Sequence, residues 1–212
     1  MSKRRKPKGG TILQILGILL VFAAAGMYFY NRQDEKRAAV QSEAVLEKLV
    51  IDTPLTEEEA GAPVYPDYVL DPERDMPVEV VDGIGYIGKI DMPSVGITLP
   101  VVEAWDVEKS KIAPCRYEGS VYKDDLIIAG HNYSTHFGKI GRLKQGEPIV
   151  FTDIDGNRFC YSAAEVEVIS GADFEGMRAG DWDLTLFTCT IGSQSRITVR
   201  CVKDEEQGEI MP

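Results

Sequence analysis

Leu184-Thr-Leu-Phe-Thr-Cys-Thr-Ile-Gly-Ser-Gln-Ser-Arg-Ile-Thr-Val-Arg-Cys-Val202 is the stretch from which the rest of the chain can be ordered. Thr185-Leu-Phe-Thr-Cys189, threonines set among apolar residues after Leu184, reads as a strand that ends at the thiol. The polar run Thr190–Ser195 interrupts the pattern, and Arg196-Ile-Thr-Val-Arg-Cys-Val202 resumes it. Two strands joined by so tight a loop bring Arg196 back beside Cys189. Attack by a thiol on a carbonyl needs a thiolate or a nearby base, and a positive charge to hold the oxyanion that forms. An arginine supplies that charge with fixed donor geometry and stays protonated.

The missing element is a proton donor for the leaving group, a task histidine performs near neutral pH. The chain has two histidines, His131 and His136. His131 ends the apolar run Leu126-Ile-Ile-Ala-Gly-His131, where a strand leaves the core, and Gly130 before it leaves room for a close approach. Cys189, His131 and Arg196 are therefore the candidate catalytic residues. His136 is a weaker alternative, lying past the strand end in a turn, and Arg200 is a second candidate arginine. Cys115, Cys160 and Cys201 have the bland expectation of buried, inert side chains. A Cys115–Cys201 bridge is an alternative in an oxidising compartment. Neither the cysteine and histidine spacings nor the acidic residues resemble a zinc or calcium site, so no metal or other cofactor is expected.

Further strand-like runs fall at Ile84–Met92, Ile97–Val102, Leu126–Ala129, Ile149–Thr152 and Arg158–Ile169, with a short helix expected over His136–Lys144. Asp155-Gly156 reads as a two-residue hairpin turn in which both residues take positive φ. No repeated helices of 10–15 residues separate the strands, as a parallel βαβ sheet would need. About 120 residues in seven or eight short strands predict an antiparallel barrel or sandwich.

Upstream, Thr11–Tyr30 holds no charged residue, and twenty residues at about 1.5 Å each suffice to cross about 30 Å of hydrocarbon. Lys3, Arg4, Arg5, Lys6 and Lys8 precede it, so the positive-inside rule predicts a signal-anchor with residues 1–10 cytoplasmic. A cleaved signal peptide ending at Ala23-Ala24-Ala25 is the competing interpretation; both put the remainder outside the cytoplasm. Residues 32–50 are good helix formers, a stalk. Residues 53–80, with five prolines and Glu57-Glu58-Glu59, read as an extended linker or a lid.

The 212 residues carry a net charge of −11 and are 44% apolar, which excludes a wholly disordered chain. Five of the 23 basic residues lie in the first eight positions, so beyond residue 30 there remain 18 against 34 acidic ones, a net of −16. Such an external part is a poor ligand for nucleic acid.

Thr185-Leu-Phe-Thr-Cys189, the downstream Arg196 and the upstream Ala129-Gly-His131 resemble the sortase family of cysteine transpeptidases of Gram-positive bacteria. Ile87–Val102, Tyr117-Glu-Gly-Ser120, Phe137–Leu143 and Gly146–Val150 extend the resemblance over roughly residues 83–203. It implies an all-β fold, a closed eight-stranded barrel with short helices, preceded by the transmembrane helix. The implied organisation is a basic tip 1–10, anchor 11–30, stalk and linker 31–82, catalytic barrel 83–204 and tail 205–212. It also implies that Cys189 attacks an LPxTG-like sorting signal on a secreted protein, with His131 as general acid and Arg196 as clamp. Thr188 and Asn132 would contact substrate. The thioester would pass to an amine of a cell-wall precursor or a pilin, at the outer face of a single-pass cell membrane. The short Cys189–Arg196 loop and the short Ser170–Asp183 segment leave the subclass unassigned. A papain-like cysteine hydrolase, which would place its cysteine before its histidine, and a non-catalytic membrane-tethered β-domain are the competing functions.

Overall fold

The computed structural model describes residues 9–53 and 65–204. The basic tip up to residue 8, the middle of the proline-rich segment and the tail 205–212 lie outside them. From Gly9 to Lys48 there is no proline to remove a backbone donor, and the apolar span and the stalk form one helix, α1, over Gly9–Lys48. The chain divides into two units, residues 1–37 and 38–212. In the first, the apolar side chains of α1 are exposed, Leu13 by 70% and Phe22 by 71%, and the helix is long and apolar enough to cross a membrane.

Among the described residues of the second unit nine strands follow: β1 (Glu79–Val81), β2 (Ile84–Met92), β3 (Ile97–Val102), β4 (Cys115–Glu118), β5 (Leu126–Gly130), β6 (Pro148–Asp153), β7 (Arg158–Ser170), β8 (Leu184–Cys189) and β9 (Ser195–Lys203). Eight of them pair in the order β2-β3-β4-β5-β8-β9-β7-β6, and β6 returns to β2, closing a barrel; β1 adds to the start of β2. Inward side chains fill it, among them Ile90, Leu126, Ile128, Phe151, Tyr161, Leu186 and Val199.

Closure occurs at a bulge. Gly88 has φ 145°, and a Cβ there would lie 2.0 Å from the Thr152 carbonyl oxygen. The strand can meet β6 only without a side chain at this point.

Five expectations need correction. The barrel is not wholly antiparallel, because β3 with β4 and β5 with β8 run parallel. The 53 residues between β5 and β8 contain the β6–β7 hairpin in place of a crossover helix. Strand β1 was not anticipated, although its turn is Asp82-Gly83, with φ of 51° and 82°, the two-residue hairpin expected at the wrong Asp-Gly. At Asp155-Gly156 only the glycine has positive φ (81°). There the Asp153 carboxylate accepts the Asn157 N–H at 2.8 Å and closes a wider loop. The helix expected at His136–Lys144 is a 3-10 segment, Phe137–Arg142. Strand β4 was missed because its four residues, Cys-Arg-Tyr-Glu, alternate over too short a run to stand out.

The fifth correction concerns the expected linker. Short helix α2 (Asp67–Leu70) places Tyr68 parallel to Tyr122, centroids 5.0 Å apart, and against Phe159, while Met76 is 4% exposed in the core. Tyr122 precedes β5 and His131 follows it, so residues 65–76 close the end of the barrel away from His131 and are no lid for the site. Arg200 is likewise structural. It is 2% exposed, bonds Glu167 at 2.8 Å and the Met177 carbonyl at 2.7 Å, and holds helix α3 (Phe174–Arg178) on the sheet with Thr185.

Two substitutions test this architecture by urea denaturation of the full chain. Gly83→Ala, in open space but at positive φ, costs about 1 kcal/mol. Gly88→Ala costs about 3 kcal/mol or more, because backbone must move. Equal losses would show that the seam adapts.

Candidate active site

Cys189, the last residue of β8, pairs in register with Arg196 of β9. On the other side of β8, Thr188 pairs in parallel with Gly130, the last residue of β5, and His131 is the next residue. The three elements thus bring the predicted thiol, imidazole and guanidinium to one end of the sheet. Strand alternation assigns the face. Leu184 and Leu186 enter the core, while Phe187 joins Ile127 and Ala129 in a cluster on the outer face, beneath Met177. Cys189 and Arg196 continue that outer face.

Thr190–Ser195 closes as a compact turn. The Thr190 N–H donates to the Ser195 carbonyl at 2.9 Å, and the Ser193 N–H to the Thr190 carbonyl at 2.9 Å. Gly192 and Ser193 take φ of 86° and 60°. The Arg196 Nη1 donates to the Ser193 and Ser195 carbonyls at 3.1 and 3.2 Å, so one arm of the guanidinium is fixed by its own loop. Its other donors make no hydrogen bond among the described residues.

All four cysteines are free, so the Cys115–Cys201 bridge is absent. Cys115 and Cys201 are fully buried in different clusters, and burial pushes the Cys115 thiol up to about 11 and that of Cys201 up as well. Cys189 is half-buried at the sheet's end, where a thiol can meet a substrate.

Burial first, and then the positive charge of Lys111, hold the His131 pKa below its ordinary 6.5. The imidazole is therefore neutral at pH 7. His136 does not compete with it: far from lying in a loose turn, it is fully buried. Thr188, expected to touch substrate, is 1% exposed, and its hydroxyl donates to the Gly130 carbonyl at 2.8 Å, tying β8 to β5 beside the site. Asn132 is exposed on the loop after His131. The contact that Gly130 permits is with a side chain, since a Cβ there would meet the Phe137 ring at 2.5 Å. Lys111 and Tyr133, whose ring stacks on His131 at 4.8 Å, were missed. Tyr133 lies two residues from His131 and could have been found; nothing local marks Lys111.

Residues 90–204 match the family model described as the sortase domain, more than half of the 212 residues, and the chain belongs to the sortase family. Among curated relatives, Sortase A of Bacillus anthracis is 31% identical over 110 residues, covering 49% of this chain and 51% of that protein. The chain thus matches about half the length of that relative. A Clostridium perfringens sortase D5 transpeptidase structure superposes with a TM-score of 0.53 at 22% identity, over 81% of this chain and 99% of the other. Sortase A from Corynebacterium diphtheriae gives 0.52 at 19% identity, over 82% and 84%. These likenesses establish the sortase barrel, which is not a papain fold.

The histidine gives a direct check. With two histidines in the chain, ring NMR signals resolve each. His131 is expected to titrate below 6.5, and Lys111→Gln to move it upward, because a neighbouring positive charge no longer opposes protonation. A His131 midpoint above 6.5 would contradict the assignment. The two arginines also separate: Arg200→Ala is expected to cost about 2–3 kcal/mol in a thermal melt, and Arg196→Ala within about 0.5 kcal/mol.

Proposed function

We propose that this protein is a membrane-anchored cysteine transpeptidase. The observation that carries the reading is the register, which sets Cys189 opposite Arg196 and brings His131 beside it on a parallel neighbour. The Cys189 sulfur attacks the carbonyl of the Thr–Gly bond in an LPxTG-like sorting signal, forming a C–S bond, while the unengaged donors of Arg196 hold the oxyanion. Neutral His131 takes the thiol proton and delivers it to the leaving amine as the C–N bond breaks, so no external proton is needed. The acyl group is then a thioester on Cys189. An amine of a cell-wall precursor or a pilin loses its proton to His131, attacks the thioester and restores the thiol. The exposure of Asn132, next to His131 in the chain, supports its contact with the substrate.

The apolar first part of α1 supports anchoring. Five basic residues on its N-terminal side support a cytoplasmic N-terminus, with the barrel and its secreted substrates outside the membrane.

The test is to incubate the full chain in detergent micelles with a panel of sorting-signal peptides and triglycine, then examine it by mass spectrometry. A thioester on Cys189 and a triglycine-extended product are expected, both lost in Cys189→Ala. Cleavage indifferent to added amine would make the protein a hydrolase. An unreactive Cys189 across the panel would favour a non-catalytic β-domain.

A further inference from the structure

After β5 the chain folds back on itself. The His131 carbonyl accepts the Phe137 N–H at 3.0 Å, and the Tyr133 carbonyl accepts the N–H groups of His136 and Gly138, both at 2.9 Å. A Cβ on Gly138 would lie 2.5 Å from the Asn132 carbonyl oxygen and 2.7 Å from that of Tyr133, so the turn closes only around glycine. Three rings are brought together. His131 stacks on Tyr133 at 4.8 Å and 16°, and Tyr133 meets His136 at 5.5 Å and 59°.

The far ring is anchored to α1. The His136 Nε2 lies 3.2 Å from the Ser42 Oγ, and Ser42 is 2% exposed. Because the Ser42 hydroxyl donates its proton to the Ile112 carbonyl, Nε2–H must be the donor to Ser42, which sets the His136 tautomer. Ala38 and Val45, one turn away on either side along α1, are buried as well.

We propose that Tyr133 is a positioning residue for His131, held in its turn by His136 and by Ser42 of α1. The last turns of α1 are then part of the support of the catalytic imidazole. The proposal rests on His131 being the acid–base group described above. Among the described residues no group hydrogen-bonds the His131 ring, so no carboxylate sets its plane in the manner of a Ser-His-Asp triad. A parallel aromatic neighbour restricts rotation about the Cβ–Cγ bond. It also leaves both ring nitrogens at the edge, free to take and give a proton.

The experiment uses the full chain in micelles with labelled histidine. Its readouts are the His131 ring signals and the kinetics on whichever panel peptide forms the Cys189 thioester. Tyr133→Phe keeps the ring and is expected to leave the His131 signals and kcat within about twofold of the starting protein. Tyr133→Leu is expected to shift the His131 signals toward free histidine and to lower kcat about tenfold or more with KM nearly unchanged, the signature of a misplaced catalytic group. Ser42→Ala, distant from the substrate, is expected to move the same signals less and lower kcat about threefold. Should Tyr133→Leu not fold, Tyr133→Met fills the space without a ring and carries the same expectation. Unchanged His131 signals and kcat in Tyr133→Leu would overturn the proposal, as would a Tyr133→Phe variant as impaired as Tyr133→Leu. Full transfer by His131→Asn would instead refute the acid–base role of His131, while the ring signals would still report whether Tyr133 holds it.

Discussion

The parallel pairing of β5 with β8 is the constraint on which the site depends. Five register pairs, from Leu126–Leu184 to Gly130–Thr188, run the two strands in the same direction, so their C-terminal ends coincide. An antiparallel pairing would have left His131 and Cys189 at opposite ends of the sheet. Because β9 returns antiparallel against β8, Arg196 enters at the level where Cys189 leaves. The Thr188 hydroxyl on the Gly130 carbonyl closes the parallel pair at its last residue, a buried neutral hydrogen bond of about 1 kcal/mol in general. Its larger consequence is to set the distance between the two chain segments that deliver thiol and imidazole.

Glycine makes two of the close approaches possible. At Gly88 the barrel seam closes against backbone, and at Gly130 the end of β5 admits the Phe137 ring, from which the 3-10 segment covers the barrel's mouth. Neither position tolerates a Cβ without displacement. The outer face is treated differently. There Arg200, buried among carbonyl oxygens, fastens α3 over the sheet that bears the site. Two arginines four residues apart on one strand thus have unlike work, because one lies under a helix and the other at a strand's open end.

What could be read from the sequence followed from how local the signal was. β8 begins at Leu184 and ends at Cys189, and β3 begins at Ile97 and ends at Val102, where the strand-like runs start and stop in the sequence. The pairing of Cys189 with Arg196 was legible because six intervening residues leave little choice of connection. The candidacy of His131, 58 residues before Cys189, was legible in its place at a strand's end, and the family resemblance added to it; its approach to the thiol depends on strand order, a tertiary fact. The roles of Lys111 and Ser42 were beyond reach for the same reason, since both come to the histidines from distant segments. Residues 65–76 were misread because prolines and acids dominate their composition, while two residues, Tyr68 and Met76, supply the burial.

That segment also separates two kinds of boundary. The stretch matching the sortase domain begins at residue 90, inside β2. Tyr68 and Met76 at the far end, the Asp82-Gly83 hairpin, the seam glycine and the buried face of α1 all lie before it. Ancestry is therefore recorded in a shorter stretch than the one that folds. A fragment cut at the edge of the recognisable domain would keep Cys189, His131 and Arg196 yet lose one wall of the vessel that holds them together.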